Sequence, residues 1–275
     1  MRYNKTVKHF ARTHHTAISY PRSFPSRIYA FFVAPLAVVI VMYIAISVFQ
    51  IAPARGGEIS LDTMVIASGY TLTRLLIAYA LALVVAIPLA LLTTTNRVLE
   101  GILLPIFDVL DSIPILAFFP VVILLFIRVD FLEGAAIFIL SLNILWNIVF
   151  TVVGGLKMIP KDITSAARVF GLSGFSYFKR LLLPAIFPQL VTGSILAVAE
   201  GWNLIIVAEA LHTYIPGGTP AQDLFGIGSI LVQAAANAQN GVFISALVVM
   251  VLFIAFFNLF VWQRLLHMSQ RYRFD

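Results

Sequence analysis

The side chains able to do chemistry in this sequence are embedded in long apolar runs. Four carboxylates, Asp108, Asp111, Glu200 and Glu209, and one guanidinium, Arg74, fall among Leu, Ile, Val, Ala and Phe. An ionised group at the centre of a bilayer costs about 2.5 to 3.5 kcal/mol on insertion scales, so each must face protein or water. Asp108 and Asp111, three residues apart, share a helix face near one end of their run, where a carboxylate can reach the interface. Glu200 and Glu209 are nine residues apart, which at about 3.6 residues per turn puts them on nearly opposite faces of a straight helix. Both line one pore only if the helix kinks. Gly201 would allow that, although glycine in a membrane helix equally marks close packing. Trp202 precedes Glu209 by seven residues and shares its face, so this pair is the preferred element of a solute pathway. Asn143 and Asn147, four residues apart beside Trp146, form a second polar stripe for which interhelical hydrogen bonding is the simpler role. Arg74 has two readings: it stabilises an anion near an outer mouth, or its apolar stem carries the charge to the headgroups.

Enzymatic chemistry finds little support. There is no Gly-x-x-x-x-Gly-Lys-Ser/Thr phosphate loop, so the chain is not expected to bind ATP by that means. The histidines at 9, 14, 15, 212 and 267 lie outside the apolar runs, and none sits in a metal or Ser-His-Asp arrangement. The lack of cysteine excludes disulfides, thiolate metal sites and a cysteine nucleophile.

The elements that must position these groups are membrane helices. Of the 275 residues 61% are hydrophobic and 11% charged, against roughly 25% charged in a soluble domain. A span needs about 20 apolar residues. The expected fold is therefore all-α and polytopic, with spans at 28–50, 64–92, 102–127, 134–156, 185–210 and 242–262. The run at 28–50 exceeds the 7 to 15 residues of a signal peptide's apolar h-region and is expected to be a retained anchor. Of the 18 lysines and arginines, 15 fall on one side if the N-terminus is cytoplasmic. The positive-inside rule then puts both termini in the cytoplasm, with a basic tail at 1–27, a transmembrane domain at 28–263 and a second tail at 264–275. The net charge of +6 is explained by this topology and not by nucleic acid.

The largest cytoplasmic loop, 157–184, is punctuated as two short helices. Pro160 and Asp162 suit a start, Gly171 a left-handed stop, Ser173 a second cap, and Pro184 a second stop. Ala166 and Ala167 leave a surface that another protein can approach closely, and Phe170, Phe175 and Phe178 supply apolar contact. A plain amphipathic interfacial loop satisfies the same residues. The outer segment 211–241 reads as a turn followed by a short helix.

The spacing Ser165-Ala166-Ala167, then Gly171, then Leu181-x-Leu183-Pro184 resembles the EAA loop of binding-protein-dependent ABC importer permeases. That pattern is Glu-Ala-Ala, three residues, Gly, nine residues, Ile, any residue, Leu-Pro. Every spacing is met; Ser165 replaces the usual Glu and Leu181 the Ile, and Asp162, one turn earlier, is a candidate substitute for the missing carboxylate. Thr71-Leu-Thr-Arg74, Pro114, Pro120, Trp202 and Ala208-Glu209 are similar to the nitrate, sulfonate and taurine branch.

The resemblance implies a six-helix permease of the type I importer fold, in which Asp162, Ser165, Ala166, Ala167, Phe170, Gly171, Leu183 and Pro184 couple to an ATPase. It further implies a second permease subunit, the same or related, two ABC ATP-binding subunits that hold ATP and Mg, and an extracytoplasmic solute-binding protein. This chain would carry no cofactor of its own and would conduct a small solute, for example an anion such as nitrate, a sulfonate or taurine. An ion-coupled secondary transporter is the alternative, but the internal repeats common in such proteins are not evident between the two halves. A third reading is a scaffold that anchors a cytoplasmic partner without solute flux.

Overall fold

The structure, a computed structural model, describes residues 59–215 and 217–270. The expected span at 28–50 and the tail at 1–27 lie outside the described residues. Ser60 caps the first helix by accepting from the Thr63 amide, and Asp62 sits in its first turn, where the helix dipole favours an anion. This helix, α1, runs Leu61–Thr95, 35 residues or roughly 50 Å. From Ala78 onward its inward stripe is mostly alanine, with Ala78, Ala82, Ala86 and Ala90 buried at successive four-residue steps. Small side chains let a neighbouring backbone come close. That neighbour is α4, Leu132–Lys157, the central helix, which packs along both α1 and α7, Leu183–Glu209.

The expected single span at 102–127 is broken. It consists of α2, Arg97–Ser112, a 3-10 turn at Ile115–Ala117, and α3, Phe119–Ile127. Pro114 is the cause. Its ring disfavours helical geometry in the residue before it, and Ile113 is extended at φ −78°, ψ 124°. Pro120 then falls in the first turn of α3, where its missing N–H costs nothing.

The 157–184 segment forms α5, Lys161–Val169, and then α6, Gly174–Tyr177. Gly171 between them has φ +72°, the left-handed value that favours glycine. Two details differ from expectation. Ser173 stands at the cap position without a capping side-chain bond, and Pro184 does not stop the second helix. A π turn at Phe178–Leu182, in which the Leu183 amide donates to the Phe178 carbonyl, widens the helix where an α pattern would drive the proline ring into the Arg180 carbonyl. The chain thus passes from α6 into α7 as one continuous rod.

Beyond α7 come 3-10 turns at Leu211–Tyr214 and Pro220–Gln222, then α8, Ile227–Ala236, and α9, Asn240–Phe257. A π turn at Asn258–Trp262 joins α9 to α10, Gln263–Ser269. Among the described residues, four helical rods are long and apolar enough to cross a membrane: Leu61–Thr95, Leu132–Lys157, Gly174–Glu209 and Asn240–Ser269.

Candidate functional site

At the end of the bundle opposite the 157–184 segment, Arg74 is 3% exposed and Glu209 fully buried. The guanidinium is held on two sides. Nη1 donates to Glu209 Oε1 at 2.6 Å, while Nε and Nη2 donate to the two oxygens of Glu133 at 2.5 and 2.7 Å. Nη2 also donates to the Phe225 carbonyl at 3.0 Å. Glu209 is satisfied from further directions: Thr71 Oγ1 donates to Oε1 at 2.7 Å and the Gly228 amide to Oε2 at 2.8 Å. Thr71 in turn accepts from the Ile227 amide at 3.0 Å. Glu209 and Thr71 therefore satisfy two buried amides that open α8, where the dipole favours negative charge. One clasp ties together α1, α4, the end of α7, the 225 loop and the start of α8.

Of the groups that Arg74 meets among the described residues, the charged ones are carboxylates of its own chain. Glu133 was missed in the sequence. It lies one residue before the expected span at 134–156, where a carboxylate is ordinarily taken to be solvated; an arginine needing a partner at membrane depth was the available signal. A second clasp lies nearby: His212 Nδ1 is 2.7 and 2.8 Å from the Asp223 oxygens, and the Gln233 amide donates to Asp223 at 3.2 Å.

Trp202 shares the buried face of α7 with Glu209, as their spacing requires, and is 5% exposed. Gly201 marks packing and not a kink, because α7 is continuous and a Cβ there would lie 2.5 Å from Leu75. Glu200, on the other side of α7, is exposed and accepts from Asn147 Nδ2 at 2.5 Å. Asn143 lines a cavity of about 150 Å³ with Trp146 and residues of the break at Pro114, including Asp111. The structure thus brings Asn143 and Asn147 together with Glu200 and Asp111, and separates them from Arg74, Trp202 and Glu209.

At the other end, the 157–184 segment projects its elbow. Val169, Phe170 and Phe175 are 85%, 82% and 75% exposed. The Gly171 and Leu172 amides close α5 onto the Arg168 and Ala167 carbonyls at 3.0 Å each, which fixes the elbow from within. Asp162, Ser165 and Ala166 are exposed, whereas Ala167 is buried against its own chain. Leu183 and Pro184 are half-buried at the start of α7. Lys157, closing α4, pairs with Glu100 of α2 at 2.5 Å.

Residues 82–267 match the family model described as the binding-protein-dependent transport system inner membrane component. The chain is 33% identical over 178 residues to the nitrate import permease protein NrtB of Leptolyngbya laminosa, covering 65% of this chain and 59% of that protein. It is 32% identical over 147 residues to the bicarbonate transport system permease protein CmpB of Synechococcus elongatus (54% of this chain, 52% of the relative). It is 30% identical over 141 residues to the aliphatic sulfonates transport permease protein SsuC of Escherichia coli (51% and 50%), a protein named with that role as its expected one. The chain spans between half and three fifths of the length of these curated relatives. In fold it is similar to a chain of the inward-facing MetNI methionine ABC transporter, with a TM-score of 0.63 at 20% identity, covering 78% of this chain and 99% of that one. Because the family model matches more than half of the sequence, the chain belongs to the inner membrane components of binding-protein-dependent transport systems, which are membrane-spanning transport subunits and not enzymes.

Proposed function

We propose that this chain is the permease subunit of an ATP-driven importer and forms, with a second permease subunit, the path of a small polar solute across the plasma membrane. The observation that carries this reading is the elbow at Gly171: Val169, Phe170 and Phe175 stand clear of their own chain within a segment that has the EAA-loop spacing, in a member of this transport family. An apolar knob held on a rigid turn suits insertion into a cleft of a soluble partner. That partner is an ABC ATP-binding subunit carrying ATP and Mg, with Asp162, Ser165 and Ala166 beside the knob. The 157–184 segment and both termini are then cytoplasmic, and the Arg74 clasp lies at the outer end, where an extracytoplasmic solute-binding protein delivers the solute.

The unbroken rod from α6 through the π turn into α7 carries motion of the elbow into the membrane. The path runs over the polar face bearing Asn143, Asn147 and Glu200, while Arg74, Trp202 and Glu209 hold the wall behind it. The relatives above are named for nitrate, bicarbonate and aliphatic sulfonates. Purification of the tagged chain from its own membranes, followed by identification of co-purifying subunits and reconstitution in vesicles, tests the reading. The expected result is an ABC ATP-binding subunit in the complex and uptake that stops without ATP. Uptake that continues without that subunit and collapses with an ion gradient would overturn it.

A further inference from the structure

Glu200 sits on a membrane-spanning helix, exposed on the single chain, with one carboxylate oxygen fixed by Asn147 from the neighbouring α4. The other oxygen has no hydrogen bond among the described residues. Asp111, on α2, is close enough for its charge to act on Glu200, and it borders the cavity of about 150 Å³ whose walls include Ser112, Pro114, Asn143 and Trp146. Phe107 packs against the Trp146 ring at 5.5 Å between centroids and backs this aromatic wall. Among the described residues no lysine or arginine pairs with Asp108, Asp111 or Glu200, and Arg74 is fully engaged by Glu133 and Glu209. The two regions differ in how their carboxylates are met. The clasp gives Glu133 and Glu209 one arginine to share, whereas Asp108, Asp111 and Glu200 on the open polar face have no paired cation among the described residues.

We infer that Glu200, oriented by Asn147 and assisted by Asp111 at the aromatic-walled cavity, makes the path selective for solutes presenting a positive group, such as an ammonium or amidinium, over free inorganic anions. The inference rests on the proposed permease role of this face. A carboxylate at membrane depth must meet water or a cation, and a cleft lined by one sign of charge raises the local concentration of the opposite sign by about 10- to 1,000-fold. A positive group has both a carboxylate and the face of Trp146 to settle on, the latter by cation–π attraction. A small anion has neither. An acid that also bears an amine fits through its ammonium.

The absence of cysteine from the sequence makes the test direct. Asn143→Cys is introduced into the full chain, and the complex with its ATP-binding subunits is treated with a cationic or an anionic methanethiosulfonate reagent, with and without ATP. Each rate is divided by the same reagent's rate with a free small thiol. The cationic reagent is expected to react at least about tenfold faster on that scale. Glu200→Gln and Asp111→Asn each lower the preference and together abolish it. Equal normalised rates, or a preference unmoved by both substitutions, would overturn the inference and leave the permease reading standing. A thiol reached by neither reagent in any state would overturn the placement of the path itself.

Discussion

Arg74 Nη1 and Glu209 Oε1 lie 2.6 Å apart across 135 residues of sequence, with both side chains buried. The pair joins the early part of α1 to the last residue of α7. Glu133 takes the remaining edge of the guanidinium and brings in α4, so three rods meet at one cation. Burying charges is costly in itself, and such a cluster persists because each donor and acceptor meets a partner in good geometry. Its value here is positional: it sets where α8 begins, through the Gly228 and Ile227 amides.

Replacing Arg74 by methionine removes the cation but keeps most of the volume, and leaves Glu209 buried with no countercharge. Breaking one side of a buried pair costs about 3 to 5 kcal/mol. The R74M chain is expected to lose that order of stability, read as a lower thermal midpoint in detergent. R74M with Glu209→Gln recovers part of the loss, since the stranded charge is then gone. A single variant that melts with the wild type would show that the clasp contributes nothing.

Gly226 tests the same clasp from the opposite side. Its φ of −172° is ordinary extended backbone, so no conformational demand keeps it glycine. Space does: a Cβ there would lie 2.2 to 2.3 Å from the Glu209 carboxylate. Gly226→Ala must push that carboxylate off its partners, at about 1 to 3 kcal/mol for overpacking. Because R74M acts on the same carboxylate, the two losses are expected to fall short of additive in a double-mutant cycle. Gly69→Ala, where nothing lies within 4 Å, is the matched control and leaves the midpoint unchanged or higher. Equal destabilisation at both glycines would contradict the steric account.

Much of this was legible in the residues, and the remainder failed for identifiable reasons. The span expected at 134–156 is a helix over Leu132–Lys157, because an apolar run of that length has no other way to satisfy its backbone in lipid. The nine-residue spacing of Glu200 and Glu209 correctly placed them on opposite faces, one exposed and one buried. Hydropathy alone carried 102–127 straight through Pro114, although the proline's effect on Ile113 was the local signal that broke it. Pro184 misled in the opposite sense, because the π turn before it carries the chain on into α7, with Pro184 in that helix's first turn. The pairing of Arg74 with Glu133 and Glu209 depends on how α1, α4 and α7 pack. No periodicity along one helix encodes which carboxylate of another will meet it. Ala166 and Ala167 likewise look equivalent as letters, yet only the packing of α5 shows that Ala167 faces inward.

Phe170 gives a cleaner test of the docking elbow than the alanines do. Its side chain is 82% exposed, so Phe170→Ser should change the stability of the chain by no more than about 0.5 kcal/mol. An aromatic anchor seated in a partner's cleft typically costs 2 kcal/mol or more when truncated. Co-purification of the ATP-binding subunit is therefore expected to fall by at least about tenfold while the thermal midpoint of the isolated permease holds. Undiminished co-purification would place the contact elsewhere on the loop.

Gly171 separates the shape of the elbow from its stickiness. With φ at +72° and nothing within 4 Å of where a Cβ would stand, a larger residue meets no clash; it meets only the cost of the left-handed conformation, about 1 to 2 kcal/mol for an L side chain. Gly171→Leu should relieve that strain by opening the turn, which swings Phe170 relative to Phe175 and misaligns the two contacts. Gly171→Asn pays much less, because asparagine tolerates this region. In the reconstituted complex the leucine variant is expected to hydrolyse ATP with little uptake, and the asparagine variant to retain most of the wild-type uptake per ATP. If leucine and asparagine behave alike, the size of the side chain and not the left-handed turn governs coupling. If both transport normally, the elbow is not the lever.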